Sequence, residues 1–140
     1  MTIRKFRPED IDPIVEILKA NQQYGHPDIH GPEAMMRVHR CEAAEFLVAE
    51  EDDQVVGLIR GTFDGSRAII YLASVHPGYQ RRGIGRALVL EITRRFKERG
   101  AASIAVIIPG DISFWQKLGF RQTTRMMQAY PIDQVLNSTG

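Results

Sequence analysis

The sequence predicts an α/β fold: a single mixed β-sheet with helices on both faces, in the order β-α-α-β-β-β-α-β-α-β, within one domain over residues 1–140. Three observations predict it. Residues 46–75 hold three apolar runs separated by short polar turns, the pattern of an antiparallel meander. Ile84, Leu88, Ile92 and Phe96 recur four apart, which makes one apolar helix stripe. The apolar run 103–108 follows that helix, and a strand–helix–strand connection implies parallel pairing.

The elements follow in order. Ile3 to Phe6 reads as an edge strand. Asp12 before Pro13 reads as an N-cap with proline at the first helical position. Ile14, Ile17 and Leu18 then form a stripe that ends near Asn21. Tyr24 to Gly31 contains Gly-His-Pro and His-Gly-Pro and reads as a loop. Pro32 opens a second helix to about Arg40, with Met35, Met36 and Val38 toward the core. Phe46 to Glu50 and Val55 to Phe63 form a hairpin about a polar turn, and Asp64-Gly65 turns the chain into Arg67 to Val75. Gly100 stands where a glycine ends the helix that starts at Ile84. Ser103 to Ile108 is a buried strand, Pro109-Gly110 a turn, and Asp111 the cap of a short helix through Leu118 that Gly119 ends. Arg121 to Ala129 reads as a last strand.

Composition excludes several classes. Hydrophobic residues at 44% and charged residues at 25% describe an ordinary globular chain long enough for one core. A net charge of +1 steers the molecule neither to nucleic acid nor to a membrane surface. The single cysteine, Cys41, forbids an internal disulfide and fits a cytoplasmic protein; after Met35, Met36 and Val38 it reads as a buried structural thiol. The first residues open no apolar stretch, so no secretory signal is expected, and no window is apolar enough to span a bilayer. No metal-ligand spacing occurs among His26, His30, His39 and His76, so no metal is expected.

The chemistry concentrates in Gln80-Arg81-Arg82-Gly83-Ile84-Gly85-Arg86, between the strand ending at Val75 and the helix. Glycines let a ligand approach the backbone, and the first amides of a helix lack intrahelical partners at its positive end. Such a junction suits a phosphate or pyrophosphate. Between Arg81 and Gly100, seven Lys or Arg stand against two Glu. Arg94 to Arg99 read as a solvated helix face, whereas Arg81, Arg82 and Arg86 flank the loop and read as anion-binding. The loop lacks the Gly-Lys-Ser/Thr ending of a Walker A motif and the third glycine of the dinucleotide fingerprint.

The pattern Gln80-x-x-Gly83-x-Gly85 resembles the acyl-CoA loop, Gln/Arg-x-x-Gly-x-Gly/Ala, of the GNAT superfamily of N-acetyltransferases. The setting carries more than the six residues do. Val75 to Gly85 resembles that superfamily's strand-to-helix junction, and Phe114-Trp115-Gln116-Lys117-Leu118-Gly119-Phe120 resembles its last helix; the likeness runs from about Ile3 to Tyr130. The resemblance implies that the strands 67–75 and 103–108 splay apart and that acetyl-CoA lies between them. Its pantetheine would line Ala73-Ser74-Val75, facing the backbone of Ala73 and Val75. Its pyrophosphate would meet the segment Gln80, Arg81, Arg82, Gly83, Ile84, Gly85 and Arg86. It further implies direct acetyl transfer to a primary amine, of a small molecule or a peptide N-terminus, by a monomer or homodimer.

The chain departs from that pattern at the catalytic positions. Many relatives carry a glutamate base on the central strand, where Ile69, Ile70, Tyr71 and Leu72 stand here. The tyrosine that often protonates the thiolate is replaced by Trp115, whose indole donates a hydrogen bond but no proton at neutral pH. The asparagine before the last helix is replaced by Ile108-Pro109-Gly110-Asp111. Tyr71, His76 and Trp115 are the catalytic candidates. Each has a plainer reading: a packed strand aromatic, a turn histidine, a core tryptophan. Glu50, Tyr24 and His26 are further candidates with surface alternatives, and Tyr79 reads as structural. A CoA-binding regulatory or vestigial domain without efficient catalysis is the rival reading.

Overall fold

The computed structural model describes residues 1–108 and 110–138. The chain divides into two compact units, Met1–Gly110 and Asp111–Gly140.

The first unit is built on a five-stranded sheet of order β1-β2-β3-β4-β5. Its strands are β1 (Thr2–Lys5), β2 (Ala44–Glu51), β3 (Gln54–Phe63), β4 (Arg67–Val75) and β5 (Ser103–Val106). The first four pair antiparallel and β5 lies parallel to β4, as the intervening helix requires. The helices are α1 (Ile11–Ala20), α2 (Pro27–His30), α3 (Pro32–His39) and α4 (Ile84–Glu98).

Alternation sends β2 side chains to two cores. Phe46 and Val48, with Leu58 and Leu72, pack against Ile14, Ile17, Leu18 and Met35 of α1 and α3. Their neighbours Leu47, Ala49, Ile59 and Ile70 are also fully buried, and α4 packs on β2, β3 and β4. The predicted stripe Ile84, Leu88, Ile92 and Phe96 is buried, each side chain worth about 1.5–3 kcal/mol. The tight β2–β3 turn holds Asp52 and Asp53 at φ of 52° and 60°, the left-handed conformation that a two-residue hairpin loop demands.

Four expectations change here. α1 starts at Ile11, after a 3-10 turn at Pro8–Asp10, and not after an Asp12 cap. The reason is Asp10: its carboxylate accepts from the Arg7 amide at 2.8 Å and pairs with Arg4, which fixes the chain entry one turn earlier. The expected loop 24–31 contains α2, because His26 O accepts the amides of Ile29 and His30 and Pro27 needs no donor at the first position. Cys41 is exposed and not buried, since α3 ends at His39 and leaves it outside the stripe. β5 ends at Val106, two residues short of the expected Ile108. Pro109 of the expected turn lies outside the described residues.

The second unit carries α5 (Ser113–Lys117) and α6 (Asp133–Leu136). Asp111 Oδ1 accepts the Ser113 amide at 3.0 Å, and Ile112 stands between Asp111 and the helix. Trp115 sits edge-on to Phe114 at 5.1 Å and to Phe120 at 5.5 Å. The strand expected over Arg121 to Ala129 does not form among the described residues. That segment has no period-two apolar face: Met126 and Met127 are adjacent, and Met127 is 96% exposed.

Candidate functional site

Among the described residues β4 is joined to β5 from Arg67 to Ile70, and the Ile107 amide bonds Ile70 O at 3.2 Å. β5 ends at Val106, and beyond it no further pairing with β4 forms among the described residues. The split begins at a bulge, where Arg60 opposes Leu72 and Gly61 opposes Ile70, so Tyr71 has no partner on β3. A Cβ at Gly61 would strike the Ile69 carbonyl, so the bulge requires glycine there.

Register decides which groups face the split. The His76 amide donates to Val56 O, so on an antiparallel ladder Ser74 and Leu72 also bond toward β3. Ala73 and Val75 point the other way, into the opening. Among the described residues no strand serves their carbonyls; side-chain amides do. Val75 O accepts Asn21 Nδ2 at 2.8 Å and Gln80 Nε2 at 2.9 Å, and Ala73 O accepts Gln23 Nε2 at 3.3 Å. Ser74 therefore does not face the opening; its hydroxyl accepts from Asn21 at 2.7 Å and holds that side chain in position.

Asn21 and Gln23 reach β4 because of how α1 stops. Asn21 is the C-cap, and Gln22 follows at φ 55°, left-handed. The Gln22 amide returns to Lys19 O and the Gln23 amide to Leu18 O, the two bonds of a Schellman ending. The sequence read α1 as ending near Asn21 but gave these amides no role. The run Asn-Gln-Gln after an apolar stripe was the available signal.

The glycine loop adjoins the split. Arg81 and Gly83 have φ of 65° and 83°, with Arg82 between them on the ordinary side. Alternation of this kind turns successive amides toward one concavity. No side chain caps α4, so its first amides are free to meet an anion. Gln80 ties the loop to the strand by reaching both Val75 O and Asn21 Oδ1. The arginines differ in their partners. Arg94, Arg95 and Arg99 are ion-paired to Glu91 or Glu45, whereas among the described residues Arg81, Arg82 and Arg86 have no carboxylate partner. The Arg82 guanidinium lies over the Tyr79 ring at 5.0 Å, which gives Tyr79 its packing role.

The catalytic candidates fare differently. Tyr71 is 45% exposed at the bulge, where the split opens. His76 is committed to the turn: Nδ1 accepts the Gly78 amide at 3.0 Å and the ring meets Tyr79 edge-on. Glu50 pairs with Arg4, which Asp10 also holds. Trp115 belongs to the second unit. Two polar residues on the α2 side were not foreseen. Arg60 is 8% exposed and burial alone pushes its guanidinium below the usual arginine range. His30 is held below its ordinary value of 6.5, first by burial, then by the charges of Arg60 and His26, with Asp28 opposing. Among the described residues no group of His, Cys, Asp and Glu could hold a metal, and no helix is long and apolar enough to cross a membrane.

The model of the acetyltransferase (GNAT) family matches residues 11–120. The chain is 32% identical over 127 residues to Acetyltransferase SG1711 of Sodalis glossinidius, covering 86% of this chain and 87% of that one. Among solved structures it is similar to Ard1 of Thermoplasma volcanium, with 27% identity, a TM-score of 0.76, and 88% and 84% of the two chains covered. It shares its fold with the PaiA N-acetyltransferase of Thermoplasma acidophilum, a structure in complex with coenzyme A, at 18% identity, a TM-score of 0.71, and coverage of 84% and 85%.

Proposed function

The chain belongs to the GNAT family of acetyltransferases, and on that premise we propose that it transfers the acetyl group of acetyl-CoA directly to a primary amine. The observation that carries this reading is the conjunction of two open backbone features: the split edge of β4 and the uncapped, left-handed entry of α4. A pantetheine arm has amide groups that fit the Ala73 and Val75 edge like an added strand. A pyrophosphate fits the amides from Arg81 to Arg86, with three unpaired arginines around it. The PaiA complex with coenzyme A supports the choice of cosubstrate.

Fixing thioester and amine in one cleft makes a bimolecular step nearly unimolecular. The amine nitrogen attacks the thioester carbonyl, the C–S bond breaks, and the thiolate leaves. The Val75 amide, facing the opening, is the donor available to the developing oxyanion. The amine's surplus proton goes to solvent water, since no carboxylate stands at residues 69–72. Tyr71, exposed at the bulge, is the side chain offered to the departing thiolate. His76 serves the turn.

Calorimetric titration with acetyl-CoA tests the reading. Gly83→Val should weaken binding at least tenfold, about 1.4 kcal/mol. It should also cost about 1–2 kcal/mol of stability, because a β-branched residue must adopt φ 83°. Arg81→Ala or Arg86→Ala should weaken binding more than Arg94→Ala or Arg99→Ala at low salt. Equal losses at all four arginines, or full affinity in a folded Gly83→Val protein, would refute the loop assignment.

A further inference from the structure

Arg60 has no part in the transfer as described. It is 8% exposed, and its one hydrogen bond runs from Nη2 to Ile29 O at 3.0 Å. A guanidinium offers five N–H donors. Arg4, Arg95 and Arg99, which are less buried, each hold a carboxylate; among the described residues Arg60 has none within ion-pair distance. Buried charges are ordinarily paired, because an unpaired one forfeits its hydration without return. Next to Ile29, His30 has its Nδ1 buried, without a hydrogen-bond partner among the described residues. Gln23 repeats the pattern: Nε2 donates to Ala73 O while Oε1 is buried and unserved.

These groups converge on one place. Arg60 opposes Leu72 across the β3–β4 ladder, and Ala73 is the next residue along β4. Adjacent strands lie about 4.8 Å apart. Arg60 is therefore rooted one strand in from the mouth of the split, and its guanidinium reaches Ile29 O, next in the chain to His30. An acceptor oxygen, Gln23 Oε1, stands at the split itself.

We propose that Arg60 and His30 form an anion subsite for a carboxylate carried by the acceptor, so that the substrate belongs to the class of amino acids and similar small amines bearing a carboxylate. The carboxylate supplies the charge that Arg60 lacks. The amine, at the other end of the molecule, donates to Gln23 Oε1 and is thereby turned toward the thioester. This assignment of substrate class rests on the acetyl-transfer reading, but the subsite itself stands on Arg60, His30 and Gln23.

The test uses the full chain with 15N-labelled arginine, the Arg60 Nε–H signal being identified by its loss in Arg60→Gln. Free amino acids, the matching amino-acid amides and inorganic phosphate are titrated separately, with and without CoA. The free acids should shift the Arg60 signal and the amides should not. In turnover, wild type should favour the acid over its amide at least tenfold in kcat/KM. Arg60→Gln should erase that preference while changing the amide rate less than twofold, and Arg60→Lys should restore part of it. Because Arg60→Gln removes an uncompensated charge, its melting temperature should not fall. An unmoved Arg60 signal with every carboxylate, a response to phosphate alone, or equal rates for acid and amide would overturn the proposal. So would an Arg60→Gln loss shared by both substrates with a lower melting temperature, the mark of a structural arginine. Failure of the transfer reading looks different: acetyl-CoA does not bind in calorimetry while the Arg60 signal still answers carboxylates.

Discussion

Between Ala68 and Ile70, β4 is paired on both edges; between Leu72 and Val75 it is paired on one. Both halves are mainly apolar, Arg-Ala-Ile-Ile against Tyr-Leu-Ala-Ser-Val. They differ in what completes them. Ala68 and Ile70, at 3% and 0% exposure, lock the closed half into the core under α4, and β5 supplies the missing ladder. The open half gets its carbonyl partners from the ends of Asn21, Gln23 and Gln80. The lesson is that one strand can be locked into the core at one end and leave a backbone edge to side-chain amides at the other. The change is made by the short length of β5 and the bulge at Tyr71.

The comparison predicts a division of effects. Ile70→Ala should produce the largest loss, about 2–5 kcal/mol in denaturant unfolding, because the fully buried site under α4 cannot collapse completely. Acetyl-CoA affinity of its folded fraction should stay within twofold of wild type. Asn21→Ala should cost less, about 1–2 kcal/mol, since it removes one donor shared by Ser74 Oγ and Val75 O. It should nevertheless change acetyl-CoA affinity more than Ile70→Ala does. The reverse order of affinity effects would break the comparison.

The smallest effect is one of pH. The folded-state pKa of His30 lies below 6.5, so the unfolded chain binds that proton more readily. Its contribution to stability is therefore present above pH about 6.5 and is lost as pH falls below it. Melting temperature should drop less between pH 7 and pH 5.5 in His30→Gln than in wild type. An identical or steeper drop in the variant would mean that His30 is not held neutral.

Much of the first unit was legible. The Ile84–Phe96 stripe, the meander and the parallel return to Ser103 all declared themselves by period, because burial on one face leaves a regular trace in sequence. The glycine loop stood out between strand and helix, where the structure has a left-handed Gly83 and a helix start without a side-chain cap. The failures have local causes. Asp12-Pro13 looked like a cap, but Asp10 was already bound by Arg4 and the Arg7 amide. Arg121 to Ala129 was read as a strand without an apolar alternation to support it. Cys41 was counted with the stripe of α3 although it stands two residues past the end of that helix. The site residues missed, Asn21, Gln23, His30 and Arg60, act through long-range partners between 31 and 54 positions away, or through the absence of a partner. Neither property leaves a periodic signal.

The amides of Asn21, Gln23 and Gln80 have a consequence for turnover. A cosubstrate must leave after every cycle, and a cleft whose buried carbonyls were left bare by its departure would resist letting go. Here Val75 O and Ala73 O accept from side-chain amides of the protein itself. On the proposed reading, a pantetheine amide arriving at this edge exchanges one hydrogen bond for another, and so does one departing. Such exchange leaves the backbone edge with little net affinity of its own. Retention then falls to the arginines and amides at the start of α4, which are exposed and respond to salt. On that reading, the open half of β4 sets where the arm lies, and the loop sets how long it stays.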